Sequence, residues 1–222
     1  MRGRWTGVRE RVLSLREAPG ASKVFGASWG KYGHGFDLRP PLAEAELVAA
    51  ERVWGATLPE EYRGFLLEVG ASGAGPDYGL FPLRLPGPER VAPGSGHLRR
   101  AFRPATVMEL LDAHEEAEPR RDAYPDDDAY LAAFRVWDRR DDELRDQLTD
   151  GALYIGEQGC AYYTLLAVTG PERGTVWDDV RAVGEGVLPV RRLDKERVTF
   201  AEWYLDWLTA AERQAWAAAE AG

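Results

Sequence analysis

Apolar side chains recur at Tyr62, Phe65, Leu66 and Val69, the i, i+3, i+4, i+7 spacing of a helix with one buried face. Pro59 opens that helix, Glu60 and Glu61 sit in its positive first turn, and Gly70 stops it. Upstream, Pro41 is expected to open a helix running to about Trp54, with Leu42, Ala45, Ala49 and Val53 as its stripe and Gly55 as its stop. Downstream, the periodicity predicts helices from Val107 to about Ala117 and from Asp126 to about Leu148. The second follows Pro125 and is lined by Phe134, Trp137, Leu144 and Leu148. Near the end, Thr199 and Glu202 form a capping-box pattern. It starts a helix whose Phe200, Trp203, Tyr204, Trp207, Leu208 and Ala211 make one broad stripe. Burying most of those rings contributes roughly 1.5 to 3 kcal/mol each, so this helix must dock on the rest of the fold.

The period changes in "ALYIGEQGCAYYTLLAVTGPERGTVWDD", residues 152–179. Apolar runs separated by Gln158-Gly159 and by "GPERG" read as antiparallel hairpins, which places Glu157 and Gln158 at a hairpin tip. Ala161 to Val168 is apolar on both faces and should be a central strand. "YGLFPL", residues 78–83, reads as a short strand that Pro82 confines to an edge. Residues 83–104 are rich in proline and glycine and read as loop. The fold class expected is α+β: an antiparallel, possibly mixed, sheet with helices packed against it. Residues 1–20, with Val8, Val12 and Leu15 on one side and Pro19-Gly20 at the end, are expected to form a loose basic arm, and residues 21–222 a single domain.

The length, 222 residues, suits a chain with a sizeable core, and 45% hydrophobic against 29% charged residues is a soluble composition. No apolar run approaches a membrane span, and the N-terminus lacks the apolar region of a secretory signal, so a cytoplasmic protein is expected. The single cysteine, Cys160, forms no internal disulfide. Asparagine is absent and lysine occurs only at 23, 31 and 195, as the GC-rich codons of a bacterium would give. The formal net charge of −9 disfavours nucleic acid and anionic lipid and favours a basic protein partner. Residues 115–146, with twelve acids against six arginines, carry most of that charge.

Candidate chemistry is sparse. Glycines 70, 73 and 75 follow a helix, whereas a phosphate cradle precedes one, so no nucleotide site and no cofactor is expected. Gly26-Ala-Ser-Trp-Gly30 has nucleophile-elbow spacing, which makes Ser28 the residue of a hydrolase reading. The turn-forming residues after it cannot start the helix an elbow needs. His34, His97 and His114 lack metal-ligand spacing. Asp126, Asp127 and Asp128 lack the spacing of a calcium loop and sit where a helix start welcomes negative charge. Cys160, between tyrosines on a strand, reads as a small buried residue.

Three segments together resemble a known family: "GATLPEEYRGFLLEVGASGAGPDYGLFPL", the hairpin segment above and "TFAEWYLDWL". They are similar to the SUKH superfamily, in the branch named for a yeast cell-wall-assembly regulator, over roughly residues 25–208. The resemblance implies an α+β fold and a non-enzymatic role. Many bacterial members are immunity proteins that bind and neutralise nuclease or deaminase toxins. It also implies a structural use for Gly70, Gly73 and Gly75, which end the helix and let the chain turn into the sheet. Asp77 and Tyr78 after that turn, with Glu157 and Tyr162 near the hairpin, are expected to border one cleft, and Asp126 to Asp128 to steer a basic partner. An immunity-type binder, a regulatory scaffold in envelope or signalling processes, and an enzyme using Ser28 all remain open at this point.

Overall fold

The computed structural model describes residues 3–28, 33–85 and 96–217. Its elements are α1 (Val8–Ser14), α2 (Glu44–Trp54), α3 (Glu60–Glu68), α4 (Pro104–Glu116), α5 (Asp127–Gln147), β1 (Ala152–Gly159), β2 (Tyr162–Ala167), β3 (Val176–Asp179), β4 (Val187–Pro189) and α6 (Phe200–Trp216). Among the described residues the strands form one four-stranded meander in the order β1-β2-β3-β4, each pair antiparallel, so the fold is α+β with an antiparallel sheet.

Alternation along the strands sends side chains to opposite faces. Ile155, Leu166 and Val176 enter the larger core, with the buried faces of α1, α2, α3 and α6. Ala152, Leu165, Ala167, Trp177 and Val187 enter a second, smaller core under α4 and α5. At the centre of the first, Tyr204 meets Phe65 at 4.6 Å between ring centroids, Tyr62 meets Phe200 at 4.9 Å and Trp5 meets Phe65 at 5.4 Å. The Tyr204 hydroxyl donates to the Ala74 carbonyl at 2.9 Å, so the buried phenol is satisfied.

The capping box of α6 forms as expected, Thr199 Oγ1 accepting from Glu202 N and Glu202 Oε2 from Thr199 N. Phe200, Tyr204, Leu208 and Ala211 are buried, while Trp203 and Trp207 are half-buried at the margin. The expected stripe of α2 is corrected. The helix begins at Glu44, and Leu47, Ala50 and Trp54 are its buried face, leaving Ala45, Ala49 and Val53 exposed. Burial follows area here: the face carrying the indole removes more apolar surface than the one carrying two alanines.

Other expectations also change. The basic N-terminal segment is not loose: Trp5, Val8, Val12 and Leu15 are buried in the larger core. Arg11 pairs bidentately with Glu212 at 2.8 and 2.7 Å. Residues 78–83 form no strand. Leu80 makes isolated antiparallel bridges to Gly73 and Gly156, and Phe81 N donates to Ile155 O, so the segment covers part of the outer edge of β1. The β1–β2 turn is Cys160-Ala161, both left-handed at φ 53° and 63°, and Gly159 closes β1. Glu157 and Gln158 therefore lie within β1, and Cys160 is exposed instead of buried. Gly73 is required by close approach and conformation together: its φ is 119°, and a Cβ there would lie 2.1 Å from the Asp37 carbonyl oxygen. Of the expected loop at 83–104, residues 86–95 lie outside the described residues.

Candidate functional site

Adjacent strand residues point to opposite faces, and the end of β3 uses this to aim two aspartates at two different surfaces.

Asp178 points toward the larger-core side. It accepts from Gln158 Nε2 at 2.5 Å, and the same nitrogen donates to Thr164 Oγ1 at 3.1 Å. Burial pushes the Asp178 carboxyl up, against the opposing hydrogen bond from Gln158. Burial also pushes Asp77 up, and the Asp178 charge adds to it, which places the two carboxylates within electrostatic reach of each other. Asp77 holds a left-handed φ of 55°, and no cationic side chain pairs with either aspartate among the described residues. Beside Asp77, the Tyr78 ring meets the exposed Phe25 ring at 5.3 Å, and Tyr78 N donates to Glu157 O at 3.4 Å. Asp77, Tyr78 and Glu157 thus share one shoulder. Tyr162 pairs with Gly159 at the end of the hairpin beside them.

Asp179 points the other way and is buried, its side chain 6% exposed. Arg181 Nε donates to Asp179 Oδ1 at 2.8 Å, and Arg181 Nη2 donates to Asp179 Oδ2 at 2.7 Å and to Tyr154 Oη at 2.8 Å. Tyr154 Oη donates to Asp179 Oδ2 at 3.0 Å, and Arg181 Nη1 to the Arg145 carbonyl at 3.1 Å. Burial pushes the Asp179 carboxyl up, but the hydrogen bonds and charge of Arg181 outweigh it and hold the group below the usual carboxylate range. This closed network floors a groove of about 510 Å³ lined by Phe81, Tyr154, Tyr163, Ala161, Ala182 and Arg145. Tyr154 and Tyr163 meet edge to face at 5.5 Å, and Phe81 lies 6.5 Å from Tyr163.

Asp126, Asp127 and Asp128 gather elsewhere, at the start of α5, exposed. Asp126 is the N-cap, its Oδ1 accepting from Ala129 N at 2.8 Å, and Asp127 pairs with Arg121 at 2.5 Å. Asp126 and Asp127 thus have structural work, and the two sets of expected partner-binding residues occupy separate surfaces. Ser28 is exposed in a turn with no strand before it, out of the context an elbow needs; Trp29 and Gly30 lie outside the described residues. Among the described residues no three His, Cys, Asp or Glu side chains converge as a metal site, and no helix is long and apolar enough to cross a membrane.

Asp178, Asp179, Arg181, Tyr154 and Tyr163 were not singled out from sequence. The signal available was "WDD", two acids closing an interior strand, where each must find a partner or a solvent-facing surface. No curated protein and no solved structure matches the chain. A sequence model of the SMI1 / KNR4 family (SUKH-1) matches residues 41–203. That span takes in α2 through the start of α6, including all four strands and both carboxylate surfaces, and the chain belongs to the SMI1 / KNR4 family (SUKH-1).

Proposed function

We propose that this chain is a non-catalytic, immunity-type binding protein that captures a basic partner, such as a toxin domain encoded beside it in a bacterial competition system. The observation that carries the reading is the Asp77–Asp178 shoulder: two half-buried carboxylates whose charged forms are disfavoured by burial and, at Asp77, by the neighbouring charge. A lysine or arginine brought by a partner relieves both costs at once, and the Phe25 and Tyr78 rings beside it offer faces on which a cation gains further. The net charge of −9 speeds encounter with such a partner.

The test is co-expression of the chain with the basic protein encoded next to it, followed by purification and an assay of that protein's toxicity. A stoichiometric complex that abolishes toxicity is expected. The double variant Asp77→Asn/Asp178→Asn should weaken capture at least tenfold while leaving the melting temperature unchanged or higher. If no neighbouring protein binds, the immunity reading fails and a regulatory scaffold takes its place. If binding persists undiminished in the double variant, the shoulder is not the contact surface.

A further inference from the structure

The second face of the sheet is only half roofed. Along β2, Ala167 and Leu165 lie buried under α4 and α5, but Tyr163, next on that face, does not. Along β1 Ala152 is buried and Tyr154 is 42% exposed. The helices cover this face through Val107, Leu111, Leu144 and Leu148, and beyond those contacts the sheet presents Tyr154 and Tyr163, with Phe81 beside them at the edge of β1. Two tyrosines left partly open on a sheet face, with a phenylalanine beside them, are an unfinished core.

The groove asks for no charge. Arg181 and Asp179 neutralise each other, and Tyr154 is held by both. The one charged group on its rim, Arg145, is outnumbered, pairing with Asp141 at 2.5 Å and with Glu115 at 3.4 Å. Counting back along α5 by the helical period, Asp142 and Asp138 stand one and two turns from Arg145 on the same side, exposed and without an ion pair among the described residues. A groove walled by aromatic rings and floored by a neutralised ion pair therefore opens beside a net-acidic helix side.

We propose that this groove is a second docking site, taking an apolar side chain carried on a basic segment of a protein partner. The rings receive the apolar anchor, and Asp138, Asp142 and the Arg145 acids receive lysines or arginines flanking it. Charge selects this occupant over others: nucleic acid is repelled by the same acids, and a second copy of this chain brings its own net charge of −9. The sheet edges offer no competing mode, since β1 is partly covered by residues 78–81 and β4 is three residues long and ends in Pro189. This rests on the protein-binding reading but not on the partner being a toxin or on the Asp77 shoulder.

The experiment is NMR of the full chain carrying ring-labelled tyrosine, titrated with three synthetic twelve-residue peptides. The first is lysine-rich with two adjacent leucines, the second has the leucines replaced by alanine, and the third has the lysines replaced by glutamate. Saturable shifts of Tyr154 and Tyr163 with the first peptide are expected, at least tenfold weaker affinity with the second, and none with the third. Ala182→Arg, an exposed position at the groove wall, should weaken the first peptide at least tenfold with an unchanged melting temperature. Asp138→Lys/Asp142→Lys should do the same through the charge. Absence of shifts at the two tyrosines, equal binding of the alanine peptide, or tyrosine shifts caused by self-association on concentrating the chain would each overturn the proposal. Toxin capture without peptide binding removes the groove and leaves the shoulder. Peptide binding without toxin capture does the reverse.

Discussion

One face of the sheet is finished and the other is not, and Asp178 and Asp179 mark the difference. Toward the finished face, Asp178 sits half-buried near Asp77 with a glutamine as its only hydrogen-bonding partner among the described residues. Toward the open face, Asp179 is more deeply buried and is fully satisfied by Arg181 and Tyr154. Asp179 has the lower pKa of the two, because partners outweigh desolvation on one side and not on the other. Burial alone therefore does not say whether a charge holds the fold together or strains it.

The largest expected effect belongs to the finished face. Tyr204→Ala removes a buried ring from the centre of the larger core and should cost about 3 to 5 kcal/mol in denaturant unfolding. Leu111→Ala, in the smaller core, should cost about 2 to 3 kcal/mol, at the low end for such truncations because that core is small enough to relax. Equal losses would mean that the two cores are equally tight.

His34 comes next, on the finished side, between Phe36 and Trp207. Its Nδ1 accepts from Phe36 N at 3.1 Å, so the proton sits on Nε2, which is buried and, among the described residues, makes no well-formed hydrogen bond. Burial pushes its pKa down to about 4, against the smaller raising effects of the Phe25 backbone and the Asp37 charge. The folded state thus refuses a proton that the unfolded state accepts, and stability present above about pH 6.5 is lost as pH falls toward 4. The loss should reach about 3 kcal/mol, and His34→Phe should flatten that slope.

The paired aspartates give smaller effects of opposite sign. Asp179→Asn leaves Arg181 with a weaker partner in a buried network and should cost about 2 to 3 kcal/mol. Because its folded pKa is depressed, that contribution is present above the unfolded value and disappears as pH falls through the folded one. Asp77 and Asp178 have raised folded pKa values, so the folded state binds protons more readily than the unfolded one. Stability then rises as pH drops from the raised values toward the ordinary carboxylate range, and Asp178→Asn should leave the melting temperature unchanged or slightly higher. A destabilised Asp178→Asn would erase the contrast.

Helices with large side chains on one stripe were legible from the chain. The buried set of α3 and the capping box of α6 follow directly from local spacing. The α2 face was misread because alanines at 45 and 49 match the period without contributing much area, whereas Trp54 does. Glycine spacing puts the hairpin turn two residues too early, because the strand turns on Cys160 and Ala161 instead. Of the expected contact residues, Asp77, Tyr78 and Glu157 do come together, through a backbone bond between segments some eighty residues apart. The groove was not legible at all. That Tyr154 and Tyr163 stay open while Leu165 is roofed depends on where α5 stops over the sheet, a long-range fact that no local period carries.

The turn that local patterning misplaced also carries the chain's single thiol. Cys160 is exposed, and the residue beside it, Ala161, lines the groove wall. Under oxidising conditions two chains can join through that sulfur, and the linkage would hold their β1–β2 turns against one another with each groove mouth obstructed by the other molecule. Preparations made without reductant should accordingly contain a covalent dimer that is blind to the leucine peptide, and dithiothreitol should restore both the single chain and its binding.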